Sequence, residues 1–211
     1  MIVERAQTPR GELALRRVGE HFEIISNGVF LTDTRDGRSE QLLATAALAA
    51  HHAPQHVLVG GLGVGFTVAA ALAEERVASV TVVEVEPAIV EWHRSLLAPF
   101  SAGALDDPRV VVQVTDLIDY LESIDEAYDV ICLDVDNGPD WTVTERNTLL
   151  YSAAGTSLLR GRLRPGGVLA TWSAHFVPAY VAVLRAQFDN VDIHEVPVER
   201  GAPDVVYVAR R

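Results

Sequence analysis

Apolar positions along the chain fall into two kinds of pattern. Short uninterrupted runs recur at Val57-Leu58-Val59, Val80-Thr81-Val82-Val83, Val110-Val111-Val112, Val130-Ile131-Cys132-Leu133 and Val168-Leu169-Ala170. Runs of this length, rich in β-branched residues, suit parallel strands buried on both faces. They predict strands over 56–60, 79–84, 109–114, 128–134 and 168–172, separated by helices over 65–75, 87–98, 116–123 and 145–162. A further helix over 177–188 precedes two strands near 190–197 and 204–209. Strand and helix in alternation imply a mostly parallel sheet with helices on both faces, a Rossmann-like α/β fold.

The first part of the chain follows a different rhythm. Leu13-Ala14-Leu15, His21 to Ile25 and Val29 to Thr32 read as short antiparallel strands, with Asn27-Gly28 suited to the positive φ angles of a two-residue hairpin turn. Residues 1–38 are therefore expected to form a small β-hairpin appendage, and residues 39–211 the main domain, opened by an alanine-rich helix over Glu40 to Ala50.

The most informative stretch joins the first core strand to its helix: His56-Val57-Leu58-Val59-Gly60-Gly61-Leu62-Gly63-Val64-Gly65-Phe66-Thr67. Residues without Cβ turn sharply at no steric cost and let a ligand lie against the backbone. Backbone N–H groups at the helix start then face whatever is bound. Glu84 ends the next strand, 21 residues after Gly63, where an acid can accept hydrogen bonds from ribose hydroxyls. The dinucleotide fingerprint needs a glycine three residues after the second, and that position is Phe66. The observed Gly61-x-Gly63-x-Gly65 spacing instead resembles the S-adenosylmethionine loop of class I methyltransferase-type folds.

Ligands of such sheets bind at the carboxyl ends of the strands. The second strand ends in Glu84, Val85 and Glu86; the third leads to Asp116 and Leu117; the fourth leads to Asp134, Asp136, Asn137 and Gly138. Asp116 is placed for an adenine amino group, with a helix N-cap as the alternative, and Leu117 is available to pack on the base. Asp134 is placed to take a proton from an attacking amine or to hold an ammonium, with Asp136 and Asp140 adding negative charge. Trp92, Trp141, Trp172 and Tyr151 are candidates for an acceptor pocket or for the core.

Composition narrows the partners. The 211 residues fit one domain, and at 49% hydrophobic they can bury a substantial core. A net charge of −12 disfavours nucleic acid and anionic membranes and suits cationic small molecules. The single Cys132, inside an apolar run, excludes an internal disulfide and fits a reducing cytoplasm. The charged start MIVERAQTPR carries no apolar leader pattern, and no apolar run reaches the length of a membrane span. His51, His52 and His56 lack a carboxylate or cysteine at ligand spacing, so no metal is expected. Arg160, Arg162 and Arg164, near a helix C-terminus, read as structural.

Several segments together resemble the spermidine synthase-like, or aminopropyltransferase, family. They are Asn27-Gly28-Val29, the VLVGGLGVG loop, Val82-Val83-Glu84-Val85-Glu86-Pro87, Asp106-Asp107-Pro108-Arg109-Val110 with Thr115-Asp116, and Tyr128 to Asp134. The LRPGGVLATWS tail is widespread in S-adenosylmethionine folds. The resemblance implies a class I methyltransferase fold. It also implies a donor site at Gly61, Gly63, Gly65, Glu84, Val85, Asp116 and Leu117, with Asp134 and Asp136 in the catalytic positions. The implied reaction moves a group from S-adenosylmethionine or its decarboxylated form to a small amine. Aminopropyl transfer is the first reading, methyl transfer the second, and nucleoside binding without turnover the third. A homodimer is left open.

Overall fold

The computed structural model describes residues 1–211 and contains two sheets. Strands β1 (Ile2–Thr8), β2 (Gly11–Val18), β3 (His21–Ser26) and β4 (Val29–Asp33) form an antiparallel meander in chain order. Asn27 and Gly28 take positive φ at the β3–β4 turn, as the sequence predicts. The first strand is a departure: the charged N-terminal residues, which carry no clear period-2 signal, pair with β2 from Ile2 to Thr8. The expected hairpin is thereby a four-stranded sheet. It also shares its core with the rest of the molecule, since Leu13, Leu15, Phe22 and Ile24 pack in one cluster with Leu43, Val59 and Val68.

Helix α1 (Arg38–Ala50) leads into the larger sheet. Its strands are β5 (His56–Gly60), β6 (Ser79–Glu84), β7 (Val110–Val114), β8 (Tyr128–Leu133), β9 (Leu163–Ser173), β10 (Asn190–Val196) and β11 (Asp204–Arg210). Their spatial order is β10-β11-β9-β8-β5-β6-β7, parallel from β9 through β7, with β11 antiparallel to both β9 and β10. The chain runs outward from β5 to β7 and then returns to β8 on the other side of β5. The order of the sheet therefore reverses between β5 and β8, the place where open α/β sheets bind ligands.

Helices α2 (Phe66–Leu72) and α3 (Pro87–Trp92) lie with α1 on the face that also receives the small sheet. Helices α4 (Leu117–Ser123), α5 (Thr148–Tyr151), α6 (Ala153–Gly161) and α7 (Pro178–Arg185) cover the opposite face. Two expected helices are shorter than their patterns. The one over 87–98 ends at Trp92 and continues as turns, in which Ala102 and Gly103 take positive φ. The one over 145–162 is broken at Ser152, which turns extended and caps α6 by accepting the Gly155 N–H at 3.1 Å. Strand β9 starts at Leu163, five residues earlier than expected, because Leu163 already pairs with Tyr128. Cys132 is fully buried, Arg164 pairs with Asp129, and Arg162 Nε donates to the Leu121 carbonyl. No helix is long and apolar enough to cross a membrane.

Candidate active site

The glycine loop begins where β5 leaves the sheet. Gly61 has φ +88°, and a Cβ there would lie 2.1 Å from the Asp134 carbonyl oxygen. This glycine lets the loop pass directly over the end of β8. Gly65, at φ +89°, fits tightly against Ser101 and His93. Gly63 differs from both: the nearest atom to a Cβ would be Thr32 Cγ2 at 3.6 Å, an ordinary van der Waals contact, and its backbone borders the cavity. Of the three glycines, Gly63 is the one where an added Cβ meets no close contact, which leaves room for a ligand against its backbone.

Two buried side chains fix that loop. The Leu62 N–H donates to Glu84 Oε2 at 2.9 Å, and the Glu86 N–H donates to Glu84 Oε1 at 2.8 Å. Burial raises the Glu84 pKa, and these backbone donors oppose the rise. Each oxygen keeps a lone pair for a ligand hydroxyl. His93 reaches the loop from the end of α3, with Nε2 2.9 Å from the Gly63 carbonyl and Nδ1 3.1 Å from Ser101 Oγ. Burial lowers its pKa, which favours the neutral ring with its proton on Nε2, since a carbonyl only accepts. No sequence signal marked His93, which lies within an expected helix.

Asp116 caps α4, accepting the Ile118 N–H at 2.9 Å, and its other oxygen lies 3.3 Å from Arg146. It is a helix cap and a cavity residue at once. At the end of β8, Asp134 accepts the Thr67 hydroxyl at 2.7 Å. Asp136 turns away from it: Val143 N–H (2.6 Å), Asn147 Nδ2 (2.9 Å) and Tyr151 Oη (3.0 Å) all donate to its carboxylate. Those bonds tie down the loop after β8, so Asp136 orders the cavity wall. Tyr151 thus serves Asp136 from the core, and Trp92 is also core, whereas Trp141 and Trp172 reach the cavity.

All nine residues expected from the sequence — Gly61, Gly63, Gly65, Glu84, Val85, Asp116, Leu117, Asp134 and Asp136 — line one cavity of about 660 Å³. That volume lies within the usual range for small-molecule sites. The lining is strongly acidic: Asp33, Asp36, Glu40, Glu86 and Asp204 join the four expected carboxylates, and Arg10 is the single basic residue. Sequence reasoning missed Glu40 and Asp204, which approach from α1 and from the start of β11. Neither stands at the carboxyl end of a parallel strand, where ligands of such sheets bind.

The spermine/spermidine synthase domain matches residues 38–188 of the chain, from the first residue of α1 to just beyond α7. Polyamine aminopropyltransferase 2 of Pseudomonas aeruginosa is 34% identical over 169 residues, covering 75% of this chain and 46% of the relative. The polyamine aminopropyltransferase of Oceanobacillus iheyensis is 36% identical over 135 residues, covering 63% of this chain and 25% of the relative. The chain thus spans about half, or less, of the length of these relatives. A spermidine synthase solved with the transition-state analogue AdoDATO shares the fold, with TM-score 0.84 and 18% identity over 99% of this chain and 73% of that one. The Thermotoga maritima spermidine synthase is similar at TM-score 0.81 and 18% identity, covering 99% and 72%.

Proposed function

The chain belongs to the spermine/spermidine synthase family, and from that premise we propose that it transfers an aminopropyl group from decarboxylated S-adenosylmethionine to a small amine. One observation carries the reading. The residues suited to a nucleoside and the carboxylate suited to an amine line the same cavity, and that cavity holds nine carboxylates against one arginine. Both partners of such a reaction are cations, a sulfonium and an ammonium, so an acidic enclosure favours each of them.

In this reading the adenosine ribose meets Glu84, the base lies between Asp116 and Leu117, and the sulfonium stands over Gly63. Asp134 takes a proton from the acceptor ammonium. The freed nitrogen lone pair attacks the propyl carbon bonded to sulfur. The carbon–nitrogen bond forms as the carbon–sulfur bond breaks, and its electron pair stays on sulfur, which leaves as a neutral thioether. The leaving group needs no acid, so the protein contributes alignment, proton removal and charge. Thr67 orients Asp134, and His93 holds the Gly63 carbonyl.

The test is a product analysis by mass spectrometry. The protein is mixed with putrescine and either decarboxylated S-adenosylmethionine or S-adenosylmethionine. The expected result is an aminopropylated amine and an equal amount of 5′-methylthioadenosine, from the decarboxylated donor alone. A methylated amine formed from S-adenosylmethionine, or no product from either donor, overturns the proposal.

A further inference from the structure

The acceptor end of the cavity contains a hydrogen-bond arrangement that fixes a proton, and its meaning rests on the amine transfer proposed above. The Ser39 hydroxyl lies 2.9 Å from Glu40 Oε2 and 2.8 Å from Asp204 Oδ2. A hydroxyl has one proton to give. If both carboxylates were ionised, one of these contacts would set lone pair against lone pair in a poorly solvated place. One of the two acids therefore carries a proton and donates it to Ser39 Oγ, which passes its own proton to the other.

The surroundings decide which acid it is. The charges that act on Glu40 are those of Asp134, just past β8, and Asp204, at the start of β11, while Asp36 and Arg38, beside the start of α1, act on Asp204. Helix α2 offers only the Thr67 hydroxyl, and β9 carries only Arg164, which is paired with Asp129. The ion pairs of the protein include none of Glu40, Asp134 and Asp204. Arg38 favours the charged form of Asp204, and no arginine acts on Glu40. Burial, and then the Asp134 charge, push the Glu40 carboxyl above its usual range. Burial also raises Asp134, against the opposing Thr67 hydrogen bond.

We propose that Glu40 is a neutral, proton-holding neighbour that positions Asp134 as the ionised base. Its carboxyl donates to Ser39, and Ser39 donates to Asp204. Asp134 is thereby left as the one full charge that faces the acceptor from the end of β8. Glu40 does not touch the reacting atoms in this account. It acts through Asp134, by setting whether that carboxylate has a charged or a neutral neighbour.

Infrared difference spectra at neutral pH, wild type minus Glu40→Gln, test this whether or not the protein turns over an amine. A protonated carboxylic acid band present in the wild type and lost in the variant is expected. Ser39→Ala is the second variant, and it should shift that same band by removing the acceptor of the acid proton. On the transfer reaction, the acid limb of the Glu40→Gln pH profile should coincide with that of the wild type, because the amide is as neutral as the protonated acid it replaces. A charged Glu40 would give the opposite result: its removal would move the acid limb to lower pH. A missing acid band, or an acid limb displaced downward, overturns the assignment. Absence of transfer activity with the acid band present would contradict the proposed reaction and leave the Glu40 assignment standing.

Discussion

The two ends of the cavity hold their carboxylates by different means. At the nucleoside end, Glu84 and Asp116 are held by backbone N–H groups, two for Glu84 and two for Asp116, with Arg146 beside Asp116. At the acceptor end, Asp134 and Asp204 meet only the hydroxyls of Thr67 and Ser39, Glu40 adds its own backbone N–H to the Ser39 contact, and no ion pair includes any of the three. The first end is a preorganised cradle whose negative charge is already satisfied. The second keeps negative charge uncompensated, which is unfavourable in the empty protein and favourable once a cation enters. Under the proposed function, the rigid end would align the nucleoside, and the uncompensated charge of the other end would attract the amine.

Substitutions at the two ends should fail differently. The largest effect is expected at Asp134→Asn, which keeps shape and removes the base. Turnover should fall about a thousandfold while nucleoside affinity is retained, as measured by single-turnover rates and calorimetry. Next come the glycines, which separate folding from binding within one loop. Gly61→Ala places a methyl group 2.1 Å from the Asp134 carbonyl oxygen and should destabilise the fold by several kcal/mol, at least about 3, read as a large drop in Tm. Gly63→Ala meets nothing closer than 3.6 Å and costs only about 1–2 kcal/mol for its left-handed backbone, yet should weaken nucleoside binding by about tenfold or more. If Gly63→Ala binds the nucleoside as tightly as the wild type, Gly63 has no special place at the ligand.

A smaller effect distinguishes the ends by pH. Burial raises the pKa of Glu40, Asp134 and Asp204 when the protein folds. A carboxyl raised in this way holds more protons folded than unfolded. Its contribution is full below the ordinary carboxylate pKa and is lost as pH rises through the raised value. The empty protein should therefore lose stability from mildly acid to mildly alkaline pH, and a diamine should restore it. Binding of the diamine should release protons, seen as a dependence of calorimetric heat on buffer ionisation enthalpy. Nucleoside binding should show less proton release. The smallest expected effect is that of salt: diamine affinity should fall as ionic strength rises, while the affinity of an uncharged nucleoside stays nearly constant.

The same contrast explains what could be read from the sequence. The nucleoside end is built from consecutive residues at strand ends, so the glycine loop, Glu84, Val85, Asp116 and Leu117 were legible in order along the chain. Asp134 was legible for the same reason. The acceptor end is assembled across the fold, where Ser39 on α1 meets Asp204 on β11, 165 positions away in sequence. No local spacing announces such a pairing. Asp136 stood at a legible position, but its partners Val143, Asn147 and Tyr151 come from the loop and helix that follow, so its structural duty was hidden. Strand β1 was missed because its residues are largely polar and exposed, and its pairing with β2 sets it in place.

The central claim is that Gly63 and Glu84 grip one nucleoside and aim its sulfur at Asp134. A crystal structure of the protein with bound 5′-methylthioadenosine tests it most directly. The account predicts ribose hydroxyls on the Glu84 carboxylate, the base against Leu117 and the sulfur between Gly63 and Asp134. A nucleoside bound outside this cavity, or lying in it with its sulfur turned away from Asp134, would contradict it.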